Sequence, residues 1–192
     1  MEQQQEIQQW IRDCRKGDAK AFANLVAKHQ QLVYRLAFRL LGDDDEAKDM
    51  TQETFIKVWL GLDRYQEEFR FSTWLYRVTC NVCYDRLRCL AHSPTRSPIE
   101  LDGISERCMS GEDVEQSFIG RELREWLFRA TETLPPKQKL VFVLRELEEL
   151  EVNEVAYMTG LSALQIKQNL YLAKKTIGHQ LKKMDWKEVE YG

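Results

Sequence analysis

The sequence has very little of what catalysis requires. Three histidines, His29, His92 and His179, are scattered over 192 residues, with no nucleophile motif beside them and no glycine loop of the kind that cradles phosphate. The chain is therefore read as a non-enzyme that uses no cofactor. Long hydrophobic runs are missing too: no stretch approaches the ~18 apolar residues of a membrane span. The opening MEQQQEIQQW lacks a basic segment followed by an apolar one. These two absences lead to the expectation of a cytoplasmic protein with no membrane insertion. The five cysteines, Cys14, Cys80, Cys83, Cys89 and Cys108, are odd in number and have no secretory context, which favours free thiols over a disulfide framework. Sustained alternation of apolar and polar residues, the mark of a half-buried strand, is lacking as well. A net charge of -3 argues against wholesale wrapping of a polyanion, so any contact with nucleic acid must be local.

What remains is a globular composition, 43% hydrophobic and 31% charged, with apolar residues at helical spacing nearly throughout. Phe22, Leu25 and Val26, then Leu32, Val33, Leu36 and Leu40, set the pattern. The fold class is all-α. Gly17-Asp18, Gly42, Gly61 and Gly160 fall where helices would begin or end. Between Ala91 and Ser117, Pro94, Pro98, Gly103 and Gly111 lie among serines and acids, the composition of a linker. Two helical domains follow from this, residues 1–92 and 119–192, joined by a flexible linker at 93–118.

In the second domain, LPPKQKLVFVL sets Pro135 and Pro136 at a helix start, where no amide donor is needed. A short helix fits VNEVAYMTG, and Ser162 with Gln165 forms a capping box that opens a third. Ala156 is small where two helices would cross, and Val155, Leu161 and Ile166 can fill their shared core. This is a helix-turn-helix pattern. On the last helix Ile166, Leu170, Ala173, Ile177 and Leu181 form an inward stripe, leaving Ala163, Lys167, Gln168, Tyr171, Lys174 and Lys175 outside. From Leu161 to Lys183 there are five lysines and no acid. Their partner is DNA phosphate, with the helix start in the major groove and the later lysines along the backbone. Glu146, Glu148, Glu149, Glu151 and Glu154, on the preceding segment, would turn away from it.

In the first domain, acids begin one helix at Asp43 to Glu46, and Phe55, Val58 and Trp59 follow on a helix ended by Gly61. After an aromatic-rich turn, Ser72 caps a helix that points Leu75, Val78 and Val82 inward and leaves Thr73, Arg77, Asn81, Tyr84 and Arg88 on another face. Cations and amides beside aromatic rings suit single-stranded nucleic acid. An aromatic core with arginine stems lying along it accounts for the same residues equally well.

Taken together, these stretches resemble a bacterial sigma factor of the extracytoplasmic-function (ECF) type. GDAKAFANLVAKHQQLVYRLAFRLLGD is similar to the family's first helices and DEAKDMTQETFIKVW to its polymerase-binding helix. FSTWLYRVTCNVCYDRLR is similar to its promoter-melting helix, and the stretch from LPPKQKL to YLAKK to its minus-thirty-five domain. The resemblance implies that Asp49, Gln52, Glu53 and Phe55 face the clamp helices of core RNA polymerase. Arg70, Ser72, Thr73, Trp74, Arg77, Asn81 and Arg88 would hold the opened strand at the downstream box, and Ser162, Ala163, Leu164, Lys167, Gln168, Tyr171, Lys174 and Lys175 would read the upstream box. It also implies promoter DNA as a partner and admits an anti-sigma factor, which many members of the family have. Phe55, Trp59 and Trp74 compete for places in the core.

Two departures stand out. Glu151 occupies the position where the family usually caps a helix with Ser or Thr, which predicts a weaker helix start. Asn169 and Leu172 stand where the family commonly has basic residues. With no arginine on its outer face, the reading helix predicts an upstream box richer in A·T than usual. Cys80, Cys83, Cys89 and His92 have a superficial zinc spacing, but a helix sets Cys89 half a turn from Cys80, so no metal site is assigned. Asp43 to Glu46 are read as helix-capping acids rather than a magnesium site. The rival function is a stand-alone helix-turn-helix regulator, which would need a dimerisation surface.

Overall fold

The computed structural model describes residues 2–68, 70–91 and 129–190, with the side chains of residues 2, 3, 181 and 183–190 left aside. The linker at 93–118, residues 119–128, His92 and Cys108 lie outside the described residues, as does the side chain of Leu181. All regular structure among the described residues is helical: α1 (Glu2–Cys14), α2 (Ala19–Leu41), α3 (Asp44–Gly61), a 3-10 turn (Leu62–Arg64), α4 (Phe71–Ala91), α5 (Pro136–Phe142), a π turn (Val143–Leu147), α6 (Val152–Thr159) and α7 (Ala163–Glu190). The chain divides into two compact units, Met1–Asp85 with Tyr157–Thr159, and Arg86–Ala156 with Gly160–Gly192.

Caps written in the sequence set the helix boundaries of the first unit. The Asp18 carboxylate accepts the N–H groups of Lys20 and Ala21 at 2.8 and 3.3 Å, opening α2. Gly42 closes α2 with φ 84°, a conformation glycine adopts without steric cost. Asp43 then accepts the Glu46 N–H at 2.9 Å and opens α3. Gly61 is the last residue of α3, as expected, though with an ordinary φ of -105°, and a 3-10 turn follows it directly.

On α2 the buried residues Ala21, Leu25, His29 and Val33 recur every fourth position, so one stripe faces inward. That stripe meets Ile11 and Cys14 of α1, Phe55 and Val58 of α3, and Phe71 and Leu75 of α4 in one apolar cluster. Leu25 is fully buried, and trimming it to alanine should cost ~2–5 kcal/mol. Burial pushes the Cys14 thiol up to about 11, with Asp18 and Asp13 adding to the shift.

In the second unit Pro135 and Pro136 stand at the start of α5 as expected. This helix widens into the π turn, where the Glu148 N–H reaches back five residues to the Val143 carbonyl at 2.9 Å. Phe142, Ala173 and Ile177 pack with Ala130 and Leu134, while Val155 and Ile166 are fully buried at the helix-turn-helix. Leu161 is only half-buried. Gly160 makes the turn with φ 71°.

Candidate nucleic-acid and polymerase interfaces

The start of α7 is built as its sequence requires. The Ser162 N–H donates to the Gln165 Oε1 at 2.9 Å, and the Gln165 N–H to the Ser162 Oγ at 3.3 Å, a reciprocal capping box. With Ile166, Ala173 and Ile177 buried beneath, Ser162, Ala163, Leu164, Lys167, Gln168, Tyr171, Lys174 and Lys175 are all exposed. Leu164 and Tyr171 are each 66% exposed, a large apolar surface for a helix facing solvent. Asn169 turns back along the helix, donating its side-chain N–H to the Gln165 carbonyl at 2.7 Å.

The preceding acids are closer to this face than the sequence suggested. Glu146, from the π turn, reaches the Lys174 ammonium at 2.8 Å. Glu151 lies 3.9 Å from the Arg145 guanidinium. The start of α6 is also better secured than a glutamate at the cap position predicts. Glu151 and Glu154 form a reciprocal capping box, the Glu151 side chain accepting the Glu154 N–H and the Glu154 carboxylate accepting the Glu151 N–H at 2.8 Å.

Arg70, just before α4, and Arg77, Asn81 and Arg88 on it are exposed, and Ser72, Thr73 and Trp74 half-buried. Spacings of three, four and seven residues keep Arg70, Thr73, Arg77, Asn81 and Arg88 on one face. Asp85, which the sequence reading passed over, shares it. Ser72 is not the cap. The helix begins one residue earlier, at Phe71, and the Arg70 carbonyl accepts the N–H groups of Thr73 and Trp74 at 3.0 and 3.3 Å. The reason is that Phe71 is buried, 3% exposed, and its packing draws the first turn forward. Trp74 lies 5.4 Å from the Tyr65 ring and 5.8 Å from Phe71, so it serves the core and the surface together. The helix runs unbroken to Ala91, with Cys80 and Cys83 buried and Cys89 exposed.

On α3, Asp49 and Gln52 are exposed and Glu53 is half-buried, 3.5 Å from Lys57. Phe55 is not on this face: it is 7% exposed and packs in the core, its ring 6.4 Å from Phe22. One residue on, the helix presents Ile56 at 55% exposure, and then Leu60 at 76%. Sequence reasoning missed both, although they continue the Asp49–Gln52 face at helical spacing. Together with Phe22, Val26 and Trp59 they border an apolar groove of about 540 Å³ between α2 and α3, with Phe55 as its floor. At the far end of α3, Asp44 bonds Lys48 and Tyr34, which hold its carboxyl below the usual carboxylate range.

The family model for sigma-70 region 2 matches residues 25–92, and that for sigma-70 region 4 matches residues 124–177. The ECF RNA polymerase sigma factor SigW of Bacillus subtilis is 28% identical over 181 residues, covering 92% of this chain and 97% of its own. The ECF RNA polymerase sigma-E factor of Escherichia coli K12 is 30% identical over 188 residues, covering 94% of this chain and 97% of its own. The chain belongs to the ECF sigma factors. Its region 2 match spans most of α2, all of α3 and α4, and its region 4 match takes in α5, α6 and the first half of α7. Two solved structures share the fold of this sigma factor. CnrH in complex with the cytosolic domain of CnrY has a TM-score of 0.60 at 20% identity, covering 93% of this chain and 98% of its own. RpoE in complex with the anti-sigma factor NepR from Bartonella quintana has a TM-score of 0.59 at 18% identity, covering 85% and 98%.

Proposed function

We infer that this sigma factor binds core RNA polymerase and directs it to specific promoters for transcription initiation. The observation that supports this is the similarity to an ECF sigma factor over 94% of the chain, with the region 2 match at residues 25–92 preceding the region 4 match at 124–177. The residue roles are proposals resting on the geometry above. Asp49, Gln52 and Glu53, with Ile56 and Leu60 in place of Phe55, form the polymerase face. Arg70, Ser72, Thr73, Trp74, Arg77, Asn81 and Arg88 hold the melted downstream box, where rings stack bases and cations meet phosphate. Ser162, Ala163, Leu164, Lys167, Gln168 and Tyr171 read the upstream box, with Lys174 and Lys175 along the backbone.

The protein acts by binding, without chemistry of its own, and in the cytoplasm. No helix among the described residues is long and apolar enough to cross a membrane. An anti-sigma factor is a further proposed partner, supported by the complex in which the Bartonella quintana RpoE is found. Association of labelled protein with core polymerase, followed by transcription from a promoter library, tests the whole reading. Promoter-specific transcripts that need both components are the expected result. A protein that ignores core polymerase and binds duplex DNA as a dimer would instead be the stand-alone regulator.

A further inference from the structure

We propose that Arg15, which lies outside every surface assigned above, is a positioning residue for capture of the opened strand: it holds the turn at residues 62–67, whose Tyr65 ring supports Phe71 and Trp74. This rests on the reading of the first turn of α4 as the element that meets the melted downstream box.

Arg15 follows directly on α1, its N–H donating to the Ile11 carbonyl at 3.1 Å, and Ile11 is fully buried, so the residue is anchored in the core. From there its guanidinium spans one turn of chain. Nη2 donates to the Tyr65 carbonyl at 2.7 Å and to the Leu62 carbonyl at 3.4 Å, and Nη1 meets the Glu67 carboxylate at 3.4 Å. The Leu62 carbonyl also accepts the Tyr65 N–H at 3.2 Å, closing the 3-10 turn that follows α3, and carbonyls at a helix end carry partial negative charge that favours a cation. A planar fork with five donors can serve three acceptors at once, which an ammonium cannot match in fixed geometry.

What the fork holds is the base of the aromatic turn. Tyr65 is 3% exposed, and its ring stands 5.6 Å from Phe71 and 5.4 Å from Trp74. A β-carbon at Gly61 would lie 3.8 Å from the Trp74 ring, so the same turn bounds that indole on another side. Gln8 of α1 adds a second hold, with its Nε2 at 3.4 Å from the Tyr65 hydroxyl. Displacing the Tyr65 backbone therefore moves the plate on which Trp74 rests, and with it the helix start that presents Arg70 and Thr73.

The test uses the full-length protein with core polymerase and a library of single-stranded non-template oligonucleotides randomised across the downstream box. Wild-type holoenzyme selects the preferred base at each position. In Arg15→Ala that preference should fall about tenfold at one position, the size of a lost hydrogen bond to a charged donor. Affinity for core polymerase should stay at the wild-type value. Arg15→Lys, which keeps the charge and loses the fork, should fall between the two. Wild-type base preference in either variant overturns the proposal. So does a parallel loss of polymerase affinity and base preference in Arg15→Lys, which would make the residue a general clip of α1. A wild-type holoenzyme that selects no base overturns the reading of α4 and the proposal with it.

Discussion

Lys174 and Lys175 are chain neighbours with the same side chain, yet Lys174 lies 2.8 Å from Glu146 while no described acid pairs with Lys175. A surface pair this exposed is worth less than ~1 kcal/mol of stability, but it changes what each lysine can do on DNA. Lys175→Ala should weaken binding to all upstream sequences alike and flatten the slope of log affinity against log salt by about one unit. Lys174→Ala should flatten it less, because Glu146 already balances that charge. Anisotropy titrations of duplex DNA over a salt series give both slopes. Gln168→Ala should act differently again, relaxing preference at a single base position by ~1–3 kcal/mol, as selection from randomised upstream boxes would show. His29 makes a prediction of another kind. Its Nε2 is buried without a hydrogen-bond partner among the described residues. Burial, then the Lys28 charge, lower its pKa below the ordinary 6.5. The fold thus favours the neutral ring, and its contribution to stability is complete above 6.5 and lost as pH falls through the depressed value. Thermal unfolding should show wild-type protein losing more stability than His29→Leu between about pH 7.5 and about pH 5.5.

At the scale of the element, most of the fold was legible because helix ends are local chemistry. Asp18, Asp43, Ser162 and the two prolines act within four residues of themselves, so their roles could be read from spacing. The turn of the helix-turn-helix depends on Gly160, whose φ of 71° is strained for any other residue although open space surrounds its α-carbon. Gly160→Ala should therefore cost ~1 kcal/mol through backbone conformation alone. Ser162→Ala should cost a similar ~1 kcal/mol by removing the cap, and chemical denaturation of each variant would measure both. The misreadings share one physical origin. Ser72 has the composition of a cap but is overruled by the burial of Phe71, and Glu151 caps in reciprocity with Glu154. In each case a neighbour a few residues away decides the outcome.

At the scale of the whole molecule, the candidate surfaces were legible to different degrees. The outer face of α7 was readable because its inward stripe is regular. On the candidate polymerase face the exposed apolar residue is Ile56, with Phe55 beneath it in the groove: both are apolar, and only packing against Phe22 tells which of them goes inside. Residues 1–92 should bind core polymerase without 119–192, and Leu60→Glu should weaken that binding in a pull-down, whereas retention by the second region alone would contradict the assignment. The Lys174–Glu146 pair has one more consequence, a kinetic one. Random duplex attracts a protein mainly through the counterions its cations release. A reading helix with one cation already answered by the protein's own carboxylate releases fewer. With α7 as the proposed reading helix, its dwell time on each wrong site should be shortened, and free copies should be less readily sequestered along the chromosome before they meet polymerase.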